Sequence, residues 1–138
     1  LQSRGLGDVY KRQTMNIKER AKLFLKIKGY PFNDFGKIIR FEANGFNFLL
    51  THNSEDESFF KIVALFSKKG NFDGLSDLEL LLKANKLNRE RKVVKAIVEE
   101  EDIQLTTEIL LDKSPEIEDI MDRMIVMICQ AVLSFSID

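Results

Sequence analysis

The spacing of apolar residues sets out a series of elements. Asn16–Lys28 carries Ile17, Ala21, Phe24 and Leu25 at helical intervals. That repeat is the mark of a helix with one buried face. Gly29, Tyr30 and Pro31 follow, and a left-handed glycine cap with a proline beyond it predicts a stop there. The period then changes to two. Lys37–Ala43 and Phe46–His52 flank Asn44-Gly45, a dipeptide suited to a turn that needs positive φ at both central positions. This turn sets Ala43 opposite Phe46, Phe41 opposite Phe48 and Ile39 opposite Leu50, all apolar and on one face. Arg40, Glu42, Asn47 and Thr51, with Ile38 and Leu49, fall on the other.

Ser58–Ser67 reads as a third strand. Phe60, Ile62, Ala64 and Phe66 share one face, and Phe59, Val63 and Leu65 make the second partly apolar. Such a strand is central or covered twice. Ser76-Asp77-Leu78-Glu79 has the form of a capping box and opens a helix to about Asn88. Glu90–Glu99 and Ile103–Leu111 read as a hairpin pairing Val98 with Ile103 and Ala96 with Leu105, its tip carrying Glu99, Glu100, Glu101 and Asp102. Ser114 as N-cap, Pro115 at the first position and Glu116, Glu118 and Asp119 near the positive dipole end predict a last helix to about Phe135. The expectation is an α+β domain of order α-β-β-β-α-β-β-α, with a five-stranded antiparallel sheet packed by helices, over residues 15–138.

Leu1–Thr14, LQSRGLGDVYKRQT, has no apolar period and resembles an adaptor-derived leader, so Met15 is expected as the natural start. With no secretory pattern after Met15, cytoplasm is the expected compartment. The longest uncharged run, Met124–Ile137, has 14 residues against the roughly 20 that a membrane span needs.

The order and two local patterns resemble the fold shared by type III secretion chaperones of the CesT-like class and the YbjN-like family. The first pattern is Leu81-Leu82-Lys83-Ala84-Asn85-Lys86-Leu87-Asn88 followed by Val93-Val94-Lys95-Ala96. The second is Leu25 through Gly29-Tyr30-Pro31-Phe32. The YbjN-like side is the nearer. The resemblance implies non-enzymatic proteins: candidate sensory-transduction regulators in one family, homodimeric chaperones that hold client segments in the other. It carries over no binding residue, because the matching positions are core and turn positions.

Composition narrows the chemistry. With 21 basic and 22 acidic residues the net charge is −1, which lacks the basic excess of a nucleic-acid binder. One cysteine and one histidine exclude an intramolecular disulfide and the usual zinc sites. His52 sits beside Glu55, Asp56 and Glu57, and general acid–base work there would need an orienting partner and a pocket. Cys129, among Met127, Ile128 and Val132, reads as a small buried hydrophobe. Asn85 and Asn88 suit either ligand contact or service to local backbone groups. No phosphate-cradling glycine motif occurs, and no catalytic residue, cofactor or metal is expected.

Two features point to partners. Lys83, Lys86, Arg89, Arg91, Lys92 and Lys95 gather around a single Glu90, but without the interleaved aromatics that stacking on single-stranded nucleic acid requires. The last helix is apolar nearly all round, so it needs cover on more than one side. Its surplus face offers Met121, Met124, Ile125, Met127, Ile128 and Leu133 as the expected interface for a second copy or a protein client, unless the first helix folds over it.

Overall fold

A computed structural model describes residues 15–53 and 55–137. The leader expected at residues 1–14 lies outside them. The described elements are α1 (Ile17–Lys28), β1 (Phe32–Asp34), β2 (Ile38–Ala43), β3 (Phe46–Asn53), β4 (Asp56–Ser67), α2 (Asp77–Glu90), β5 (Val94–Val98), β6 (Asp102–Leu110) and α3 (Ile117–Ile137). The strands form one antiparallel sheet in the order β1-β2-β3-β4-β6-β5.

Local chemistry places the turns. Asn16 caps α1 by accepting from the Glu19 N–H at 2.8 Å, and Gly29 ends it at φ 73°. Asn44 and Gly45 both take positive φ, 53° and 82°. The β2–β3 register then pairs Ala43 with Phe46, Phe41 with Phe48 and Ile39 with Leu50, as the turn chemistry predicts. Phe41 and Phe48 stack with their ring centroids 5.1 Å apart. Val98 meets Ile103 and Ala96 meets Leu105 in the second hairpin.

Three expectations are corrected. The sheet has six strands, because Phe32–Asp34 pairs with Ile39–Phe41. Three residues with Asn and Asp among them are too short and too polar to display a period of two. Helix α2 runs on to Glu90, so β5 begins at Val94 and not near residue 90. Helix α3 starts at Ile117, with the Glu116 carbonyl accepting the first helical bond, from Ile120. The Ser114 N–H instead donates to the Asp112 carboxylate at 3.0 Å in a turn before the helix.

The three described helices cover one face of the sheet. Ile39, Phe41, Phe48, Leu50, Phe60, Ile62, Ile103 and Leu105 are buried beneath them in one core cluster. Helix α3 lies across it and buries Ile117, Met121, Met124, Ile125, Ile128, Ala131, Val132 and Phe135. Helix α1 flanks it and is tied by Arg20–Glu118 at 3.2 Å and Lys28–Asp122 at 3.4 Å. Helix α2 reaches it from another side through the Lys83 ammonium, which donates to the Phe135 carbonyl at 3.2 Å. Among the described residues no helix lies on the opposite sheet face. Ile38, Leu65 and Ile97 are exposed there among Arg40, Glu42, Lys95 and Glu108.

The outer edge of β5 is capped at Ala96. The Asn88 carboxamide accepts from the Ala96 N–H at 2.6 Å and donates to the Ala96 carbonyl at 3.1 Å, filling the place of a neighbouring strand. Reaching this clamp from α2 takes a tight turn at Val93, closed by the Val94 N–H to the Lys92 carbonyl at 2.8 Å. Val93 sits at φ 74°, where a β-branched residue is strained. Such strain costs about 1–3 kcal/mol, against roughly 0.5–1 kcal/mol for the added flexibility of glycine. Val93 is half exposed, so little packing opposes its removal. Val93→Gly is therefore expected to stabilise the fold by about 1 kcal/mol, read as a higher urea midpoint at unchanged slope; a lower midpoint would show that the turn is not strained.

Candidate functional site

Helix α2 is built with two apolar stripes. Ser76 caps it, accepting from the Glu79 N–H at 3.2 Å, and Leu, Lys and Ala fill it with strong helix formers. Leu80, Ala84 and Leu87 turn inward and are buried. Leu78, Leu81 and Leu82 lie on the opposite side and are 66%, 52% and 61% exposed. At 100° per residue these three and Asn85 share one face. Asp77 and Glu79 stand in the first turn, with Lys86 and Arg89 toward the C-terminal end. The result is an outward leucine patch with acid at one end and base at the other.

The six residues expected on the last helix divide. Met121, Met124, Ile125 and Ile128 are buried in the chain's own core, since sheet, α1 and α2 together cover the surplus face. They offer nothing to a partner while the chain stays folded. Met127 is half-buried, and Leu133 is exposed, as is Val126 one helical repeat before it.

The basic cluster is also divided. Lys83 is spent internally, its ammonium 5.9 Å from the Phe135 ring centre and bonded to that residue's carbonyl. Lys86, Arg89, Arg91 and Lys92 are exposed on α2 and the turn after it. Lys95 pairs in register with Thr106, and its neighbours Val94 and Ala96 point to the helices, so it belongs to the helix-free face. Asn88 serves the β5 backbone, while Asn85 is exposed.

His52, Glu55 and Glu57 come together on an open groove of about 660 Å³ that Lys37, Lys61 and Glu108 also line. The ring nitrogen Nε2 of His52 lies 3.3 Å from the backbone oxygen of Glu57. Among the described residues no group of three His, Cys, Asp or Glu side chains could hold a metal ion. No helix there is long and apolar enough to cross a membrane.

At one end of the groove, Lys18 and Lys22 meet the Asp34 carboxylate at 2.9 and 3.2 Å. The Lys18 ammonium foremost, then the Gly36 N–H, hold that carboxyl well below the usual range. Cys129 is half-buried, with the Asn44 amide 3.7 Å from its Sγ. Burial pushes its thiol up, partly offset by the Asn44 amide. A raised value leaves less thiolate at neutral pH. Alkylation of Cys129 by iodoacetamide at pH 7, followed by mass spectrometry, is expected to run several-fold slower than that of glutathione and to accelerate toward alkaline pH. A rate at or above that of glutathione would contradict the burial.

Sequence reasoning missed the leucine patch. The signal was present: Leu78, Leu80, Leu81, Leu82 and Leu87 are more leucines than one helix face can bury.

No protein-family model matches the chain, and no curated protein matches its sequence. Solved structures do share its fold. One is YbjN from E. coli, described as a candidate transcription regulator, with TM-score 0.64, 10% identity, and 85% of this chain and 87% of that one covered. Another is an uncharacterized protein from Methanothermobacter thermautotrophicus, with TM-score 0.63, 14% identity, and 86% and 93% covered. The fold is YbjN-like.

Proposed function

We propose that the chain is a non-enzymatic, cytoplasmic protein-binding module that acts as a homodimer: a regulator of the YbjN kind, or a chaperone-like adaptor that holds a segment of a partner protein. The observation that carries this reading is the outward stripe of Leu78, Leu81 and Leu82. Three adjacent leucines facing water on a helix whose other side is already packed form the kind of patch that marks an interaction surface. The stripe is self-complementary in charge. Two copies of α2 packed antiparallel about the point between Leu82 and Lys83 bring Glu79 of each opposite Lys86 of the other, with leucines between. Leu133 and Met127 on α3 supply further apolar surface for a client. The YbjN-like fold supports a regulator or adaptor over a catalyst.

Light scattering across a concentration series tests the dimer. The chain is expected to dimerise, Leu81→Glu to weaken the dimer at least tenfold, and Glu79→Lys to weaken it in a way that Lys86→Glu restores when the two are combined. A folded monomer at every concentration would overturn the homodimer. Dimerisation broken by Met127→Glu and not by Leu81→Glu would move the interface to α3.

The gathering of His52, Glu55 and Glu57 on one groove favours a second reading, a small-ligand or enzymatic site. Under the first reading His52→Ala leaves partner binding intact. Loss of all binding in that variant, with an unchanged melting curve, would favour the groove.

A further inference from the structure

A cavity of about 130 Å³ opens at the end of the sheet where α3 meets the loop after β4. Ile103, Val132 and Phe135 form its buried floor. Phe46, Phe66 and Phe72 are half-buried around it, so their outer edges reach solvent. The four rings form two edge-to-face pairs, Phe46–Phe66 at 5.9 Å and Phe72–Phe135 at 5.5 Å between centroids. Asn71 at the margin has its amide tied to the Ser67 carbonyl at 2.8 Å. A closed apolar cavity of about 150 Å³ holds one benzene, which sets the scale for this open one. The space therefore matches one six-membered ring, and ring edges and faces on two sides suit a fifth aromatic group.

The lining of the cavity is itself uncharged, and the acidic β5–β6 tip lies beyond it along the sheet. Phe66 pairs with Ile103, and one step along the same register Ser67 pairs with Asp102. The β5–β6 tip Glu99–Asp102 is thus fixed beside the mouth, and the Lys68 N–H donates to the Glu101 carbonyl at 2.8 Å to hold it there. The Lys68 ammonium is engaged by Asp77 at 3.1 Å and by the Glu100 carbonyl at 2.9 Å. The carboxylates of Glu99, Glu100 and Glu101 carry no ion pair among the described residues and are exposed.

We propose that this cavity receives one aromatic side chain from a segment of a partner protein, and that lysine or arginine flanking that side chain meets the acidic tip Glu99–Asp102. The apolar slot supplies affinity and the carboxylates supply selection and steering. The proposal rests on the reading of the chain as a protein-binding module, and it names the chemistry of the segment held.

The test is a titration of the full chain, labelled at Ile, Leu and Val methyl groups, followed by NMR. The probes are three capped tripeptides: Lys-Phe-Lys, Glu-Phe-Glu and Lys-Ala-Lys. Lys-Phe-Lys is expected to shift the Ile103 and Val132 methyls saturably in the millimolar range. Glu-Phe-Glu should bind at least tenfold more weakly at low salt, and Lys-Ala-Lys should leave those methyls unmoved. In the surface variant Glu100→Lys with Glu101→Lys the preference for the basic probe should shrink or reverse. No saturable shift at these methyls with Lys-Phe-Lys overturns the proposal, as does equal binding of the basic and acidic probes. The dimer measurement reads a different surface. A dimer that ignores Lys-Phe-Lys defeats the slot alone, and a monomer that ignores it defeats the slot and the homodimer.

Discussion

The burial of α3 against one face of the sheet is the contact on which the other packing depends. A six-stranded sheet with apolar side chains on one face needs cover across its width, and α3 is the long apolar cylinder that supplies it. One helix is narrower than the sheet, so α1 and α2 fill the space beside it. The pairs Arg20–Glu118 and Lys28–Asp122 hold α1 in place, and the bond from Lys83 to the Phe135 carbonyl joins α2. Because α2 is drawn inward along Leu80, Ala84 and Leu87, its remaining leucines face away from the described core. The outward stripe is thus a geometric result of how the core is closed.

Two hairpins were legible because turn chemistry and side-chain alternation gave the same register independently. Asn44-Gly45 left one pairing, and the acidic tip after Val98 left another. The caps at Gly29 and Ser76 were legible for the same reason: each is a residue type that a helix end needs. Strand β1 was not, since three residues hold no period. The start of α3 was misplaced because Ser114-Pro115 fits a helix opening locally, yet the Asp112 carboxylate draws Ser114 into a turn.

The surfaces were less legible than the fold. An apolar helix surface has the same pattern whether a second chain or its own domain covers it. For α3 the cover is internal for Met121, Met124, Ile125 and Ile128. For Leu78, Leu81 and Leu82 the described structure supplies none. Only three-dimensional placement separates the two cases. The cavity at Phe46, Phe66, Phe72 and Phe135 was beyond sequence reading altogether, because its walls come from β3, β4, the following loop and α3.

The position of α3 along the chain bears on how the protein is made. It leaves the ribosome after every strand that it covers. The meander of β2, β3 and β4 joins neighbours in sequence, so it can pair while synthesis continues. Until α3 docks, Phe41, Phe48, Phe60 and Ile62 have no lid, and the nascent chain carries an oily sheet face open to aggregation or to a folding chaperone. Closure of the core is thus a late event in biosynthesis, and any delay at the last helix prolongs that exposure.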